Sequence, residues 1–169
     1  MDYVDTTTLD LVGKYLKDND LKVFVGESMT GGFLGSILSL QVDSGAYFLG
    51  GITGYDNAVK KAVLQVDEQS IAHYTAESPE VTFEMLEGLK KIIAADVYIA
   101  ITGMAYADPS DEHEAHVGDI FVAISFLGIH MHKTLHCIDH DAAQLYITAV
   151  NHVILELNQF VLHNTLETN

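Results

Sequence analysis

Two β-rich runs, Leu21–Ser28 (LKVFVGES) and Ala95–Gly103 (ADVYIAITG), each break off into a turn of hydroxyl residues and glycine. This repeated strand-then-turn pattern constrains the fold more than any other feature, because segments with helical spacing surround it. Leu9, Val12 and Leu16 recur through Thr6–Lys17, with Leu11 and Tyr15 beside them. Phe33–Leu40 and Asn57–Leu64 read as helices. Ser78 is a good N-cap with Pro79 at the first helical position, and the chain runs amphipathic to about Ile93. A last long helix covers Asp141–Leu162, with Leu145, Ile147, Val150, Ile154, Leu157 and Val161 among its apolar positions. Gly45–Asp56 is β-like and punctuated by glycine. Val117–Gly128 and Ile129–Ile138 read as a hairpin of two strands.

Strands alternating with helices predict a layered α/β domain. The late hairpin predicts a mixed sheet, not a wholly parallel one. The expectation is one domain over 1–169: a three-layer α/β/α sandwich around a mixed sheet of roughly five strands.

Composition narrows the function classes. Hydrophobic residues make up 49% of the chain and Pro only 2 residues, so a sizeable core is available. The net charge is −16, and all 8 basic residues are Lys. Nucleic acids are held by neutralising phosphates, so a nucleic-acid partner is not expected. Without Arg, an anion site must use Lys, hydroxyls and backbone N–H groups. The single cysteine, Cys137, leaves no internal disulfide and fits a reducing cytoplasm. The N-terminus has neither the basic nor the apolar region of a signal peptide. No apolar run approaches the ~20 residues of a membrane span, so no membrane partner is expected.

The chemistry lies at three strand ends. At the first, Glu27, Ser28, Thr30, Gly31 and Gly32 stand between a strand and a helix. Ligands of open α/β sheets bind outside the carboxyl ends of strands, where the next helix offers free N–H groups. Ser28 suits a nucleophile beside an oxyanion hole, or a hydroxyl ligand to a phosphate. The plain alternative is a capping hydroxyl with packing glycines. At the second turn, Tyr55 and Lys60 form the pair of interest. A Lys made less basic by burial can deprotonate a Ser hydroxyl, and a Tyr can relay the proton; a solvated helix lysine is the commoner fate. At the third, Thr102 and Gly103 again follow a buried strand.

The order and spacing of these turns resemble the CinA C-terminal domain family. The resemblance rests on GESMTGG (Gly26–Gly32), GAYFLGGITGYDNAVKKAVLQV (Gly45–Val66), SPEVTFEMLEGL (Ser78–Leu89), DVYIAITGMA (Asp96–Ala105) and HVGDIFVAI (His116–Ile124). It runs from about Thr6 to Val161. It implies the α/β/α fold, with active members that deamidate nicotinamide mononucleotide to nicotinate mononucleotide. By position it implies Ser28, Tyr55 and Lys60 as catalytic, and Glu27, Thr30, Gly31, Gly32, Thr102 and Gly103 as substrate-binding. It implies a small nucleotide substrate and, together with the apolar Gly45–Ile52 segment, a homodimer; no cofactor is expected.

The sequence departs from the family pattern in MAYADPSDEHEAH (Met104–His116), where Glu114 is acidic, in Asp56, and in IDHDAAQLY (Ile138–Tyr146), which lacks Arg. A second function class therefore stands beside the amidohydrolase: a non-catalytic relative that binds or regulates. Histidines supply a rival signal. His130, His132, His136, Cys137, Asp139, His140 and Asp141 cluster, with His113 and His116 nearby. His130 and His132 share a face if this run is a strand, but no spacing matches a zinc motif, and no metal is expected. Cys137 reads as a buried apolar residue rather than a nucleophile.

Overall fold

The computed structural model describes residues 3–106, 116–137 and 141–167, the last four by backbone only. The strands are β1 (Val23–Glu27), β2 (Phe48–Thr53), β3 (Val97–Gly103), β4 (Asp119–Phe126) and β5 (Ile129–His136). They form one mixed sheet in the order β2-β1-β3-β4-β5. β1 runs parallel to both β2 and β3, while β3–β4 and β4–β5 are antiparallel. β1, β3 and β4 are buried at every position, which explains their unbroken apolar runs. β2 is an edge strand. Its register slips at Leu49, since Val23 pairs with Phe48 and Phe24 with Gly50.

The helices are α1 (Thr6–Asp18), α2 (Phe33–Ser39), α3 (Asn57–Ala62), α4 (Glu68–Tyr74), α5 (Pro79–Ile92) and α6 (Ala142–Glu167), with a short 3₁₀ turn at Ser44–Ala46. α1, α2 and α6 cover one face, where Leu9, Val12, Leu34, Leu38, Leu145, Val153 and Leu157 meet Val25, Ile99, Ile101 and Ile124. α5 covers the other, with Val81, Met85, Leu86 and Leu89 against Phe24, Tyr98, Ala100 and Ala123. The three-layer α/β/α expectation holds.

Several boundaries differ from the sequence expectation. α3 ends at Ala62, and Leu64 lies beyond it as a core residue. Gln65, just past it, has a positive φ of 56°, and the chain here meets Gly88 of α5. A Cβ there would meet the Leu64 carbonyl oxygen at 1.9 Å, so the backbone after α3 lies directly on α5. α4 is absent from the sequence expectation: it has one half-buried apolar anchor, Ile71, and its start depends on the Asp67 cap. α6 extends to Glu167, and its Ala142–His163 stretch is apolar enough to cross a membrane by length and composition alone. Its buried side, with Leu145, Ala149, Val150, Val153, Ile154, Leu157 and Val161, packs on the sheet and α1, while Leu155 and Leu162 are exposed. Of the histidine-rich stretches, His113 and Glu114 in 107–115, and Asp139 and His140 in 138–140, lie outside the described residues.

Candidate functional site

β1, β2 and β3 end at the same edge of the sheet, and backbone hydrogen bonds join their three turns. The Ser28 amide donates to the Ile101 carbonyl at 2.9 Å, and the Gly54 amide donates to the Glu27 carbonyl at 2.7 Å. Gly103 touches the first turn too: a Cβ on it would meet Met29 Sδ at 2.4 Å. The expected site residues therefore gather in one corner, each in a distinct setting.

Gly31 and Gly32 have φ of 60° and 101°, and they bend the chain from β1 into α2. Ser28 and Thr30 are buried there. The amides entering α2 are not free, contrary to expectation. Glu27, only 2% exposed, turns its carboxylate onto them: Leu34 N donates to Oε2 at 2.9 Å and Gly35 N to Oε1 at 2.8 Å. The Thr30 hydroxyl also donates to Oε2, at 2.7 Å. The Gly31 amide is likewise used, donating to the Ser28 carbonyl at 3.0 Å. The amides of Met29, Thr30 and Gly32 have no acceptor among the described residues. The donors left for a developing anion are thus amides of the turn, Met29 and Thr30 among them, and not those entering α2.

Lys60 is 1% exposed and is not a solvated helix lysine. Its stem packs on Gly54, where a Cβ would stand 3.5 Å from Lys60 Cγ. Among the described residues its ammonium makes long contacts, to the Tyr55 carbonyl at 3.4 Å and Asn57 Oδ1 at 3.3 Å. Burial lowers its pKa, opposed by the charges of Glu77 and Asp56. A lysine held this way tends toward the neutral amine that a general base requires. Tyr55 contacts Lys60 through its carbonyl, while its side chain is 60% exposed at the rim. Neither residue hydrogen-bonds the Ser28 hydroxyl in this structure.

Thr102 is fully buried, and its hydroxyl lies 2.6 Å from that of Thr82 in α5. Thr82 donates its proton to the Ser78 carbonyl at 2.6 Å. Thr82 therefore accepts from Thr102, and Thr102 Oγ1 offers only lone pairs to any other neighbour. Sequence reasoning missed Thr82, whose place on an apolar helix face carried no signal. It also missed an aromatic pair beside the turn: the rings of Phe33 and Tyr146 lie 6.2 Å apart. Burial raises the Tyr146 pKa, and Tyr106 and Tyr55 add to the shift. A groove of about 330 Å³ runs between α2 and β2, lined by Glu27, Gly32, Gly35, Gly51 and Thr53 among others.

The histidines have other occupations. His130 and His132 lie on one face of β5, as expected, with ring centroids 5.9 and 5.1 Å from Phe83. His136 Nδ1 sits 2.7 Å from Asp119 Oδ1. Among the described residues no three His, Cys, Asp or Glu side chains are grouped to hold a metal. Cys137 is half-buried, and burial raises its thiol pKa, with Asp119 adding to the shift.

A three-layer sandwich with hydroxyl-bearing turns at adjoining strand ends defines the class. Within it, the chain belongs to the CinA family, since the CinA C-terminal domain matches residues 5–161. A CinA-like protein of Syntrophomonas wolfei is 33% identical over 134 residues, covering 79% of this chain and 32% of that protein. One from Thermotoga neapolitana is 40% identical over 96 residues, covering 57% of this chain and 24% of its own. The chain thus matches about a third or less of the length of these curated relatives. Solved structures align along almost the whole chain. The competence damage-inducible protein A of Klebsiella pneumoniae superposes with a TM-score of 0.85 at 26% identity, covering 94% of this chain and 96% of that one. A CinA superfamily protein of Escherichia coli gives 0.85 at 28% identity, covering 94% and 91%.

Proposed function

We propose that this chain is an amidohydrolase that deamidates nicotinamide mononucleotide, or a near analogue, to the corresponding nicotinate nucleotide. The observation that carries the reading is Lys60: a buried lysine of lowered pKa, held in α3 directly after the turn whose Gly54 amide bonds the Glu27 carbonyl. A buried ammonium whose hydrogen bonds to the described residues are long is costly, and such perturbed groups collect at functional sites. The neutral form of Lys60, made more accessible by burial, takes the Ser28 proton as Oγ attacks the amide carbon, with Tyr55 assisting from the rim. The oxyanion falls to the free amides of the turn, Met29 and Thr30 first. Collapse breaks the C–N bond, and the proton returns to the leaving nitrogen as ammonia departs. Water then cleaves the acyl ester and frees Ser28. The rings of Phe33 and Tyr146, tilted 42° to one another, offer aromatic surface for a pyridine ring.

A chain without Arg binds the nucleotide's phosphate weakly. That loss acts on ground and transition states alike, so it raises KM more than it lowers kcat. The proposal includes a cytoplasmic setting and a homodimer joined near the β2 edge. The lack of Arg also favours the second reading, a non-catalytic relative. Ammonia release from millimolar nicotinamide mononucleotide separates the two. The wild type is expected to release it, and Ser28→Ala and Lys60→Ala to fall to background. A silent wild type selects the non-catalytic reading. Activity surviving Ser28→Ala keeps the enzyme and discards this mechanism.

A further inference from the structure

We propose that Glu27 is a positioning residue, one that fixes the Ser28 turn from the opposite face of the sheet and does not touch substrate. The inference rests on the deamidase reading above and changes the part expected of Glu27 within it. The pleat supplies the first argument. Along β1, Val23 and Val25 pack into the α1/α2/α6 layer while Phe24 packs into the α5 layer. Glu27 follows the odd positions, and its carboxylate lies against α2. Ser28 follows β1 and continues its ladder, its amide donating to the Ile101 carbonyl, and from this alternation we infer that its side chain turns toward the α5 layer. Thr102, bonded to Thr82 of α5, and Lys60, beside Gly54 and Leu64, belong to that layer too. The carboxylate and the hydroxyl are neighbours in sequence on opposite faces of the sheet.

The second argument is satisfaction. Three donors already hold the Glu27 oxygens, from Leu34, Gly35 and the Thr30 side chain. Its carbonyl also takes the Gly54 amide, at the start of the segment that leads to Tyr55 and Lys60. One residue therefore ties α2, the Thr30 side chain and the second turn to the end of β1. Charge-assisted hydrogen bonds of this kind are the strong ones, and they set the backbone from Ser28 to Gly32. That backbone carries the amides of Met29 and Thr30. A small displacement of such groups is costly in turnover but not in ground-state binding.

The test uses Glu27→Gln in two settings. In the first, kcat and KM for nicotinamide mononucleotide deamidation are measured in the otherwise native chain. The expected result is a kcat fall of about 10- to 100-fold with KM within about twofold. The second setting does not depend on activity. In protein carrying Ser28→Cys and Cys137→Ser, the introduced thiol is alkylated with iodoacetamide. Glu27→Gln is expected to speed this about tenfold, since it loosens a buried turn and removes a nearby negative charge. Cys137 in protein that retains Ser28 serves as control, and its rate is expected to stay unchanged. If Glu27→Gln does not fold, Thr30→Val removes the hydroxyl bond alone, and Thr30→Ser is expected to recover most of the lost kcat. A raised KM with kcat retained marks a substrate ligand and overturns the proposal, as does an unchanged alkylation rate of the introduced thiol. A wild type that releases no ammonia defeats the deamidase reading, and the alkylation rate then decides the role of Glu27 alone.

Discussion

The hydroxyls of Thr82 and Thr102 meet at 2.6 Å, and Thr82 has already given its only proton to the Ser78 carbonyl. The direction of the pair is therefore fixed: Thr102 donates and Thr82 receives. This short chain ties the end of β3 to the first turn of α5.

Thr82→Val keeps the shape and removes the acceptor. The Thr102 hydroxyl is then left buried with a proton and no partner, which costs about 1–3 kcal/mol. Urea unfolding should show a lower midpoint with an unchanged slope. Thr82→Ser should recover most of the loss.

Lys60 should cost stability in return for its chemistry. Burial holds its folded pKa below 10.5. Between the folded value and 10.5 the unfolded chain binds more protons, so stability rises with pH across that window. Below the window the charged side chain carries the full penalty. Lys60→Met should raise Tm at pH 7 by a few degrees, on the order of 1 kcal/mol, while ammonia release is lost. Calorimetry of both proteins checks it, and the gain should shrink as pH rises from the folded pKa and be gone by about pH 10.5.

His152 predicts a response to acid. Burial lowers its pKa below 6.5, with Glu156 opposing the shift and Lys133 reinforcing it. Its Nε2 stands 3.3 Å from Glu156 Oε1 without hydrogen-bond geometry, and Lys133 stands 3.6 Å from the same oxygen. The unfolded chain takes the proton first, so stability falls as pH drops through 6.5 toward the folded value. The slope is at most about 1.4 kcal/mol per pH unit. His152→Gln should flatten that part of the stability profile and leave the rest.

Gly88→Ala should be severe. Helix propensity favours Ala by about 1 kcal/mol, but its Cβ would stand 1.9 Å from the Leu64 carbonyl oxygen and 2.7 Å from the carbon. Both contacts are backbone, so a rotamer change cannot relieve them. A loss of about 3 kcal/mol or more is expected in thermal melts. Lys60 lies just upstream of Leu64, so kcat should fall as well.

Much of the fold was legible because burial on two faces leaves a plain mark. The apolar runs of β1, β3 and β4 are the sheet's centre, and Ser78 and Pro79 announce α5. α4 was not legible, because Asp67 and Ile71 form a helix only against α5. The end of α3 was not legible either, since nothing in Ala62–Gln65 announces the left-handed turn at Gln65. At the site, Ser28, Thr30 and Thr102 stood out as hydroxyls at strand ends, and Lys60 through its place after the second turn. Thr82, Phe33 and Tyr146 carried no such mark, because their partners lie far along the chain.

The sequence alone determined the α/β alternation, the mixed sheet, the membership in the CinA family and the residues that stand at the strand ends. Tertiary structure alone decided what each can do. It buried Lys60 and left Tyr55 at the rim, gave the amides of Leu34 and Gly35 to Glu27, left those of Met29 and Thr30 without an acceptor among the described residues, and committed the Thr102 proton to Thr82. The physical reason is that proton affinity and hydrogen-bond direction belong to a group's neighbours in space, while sequence names only the group.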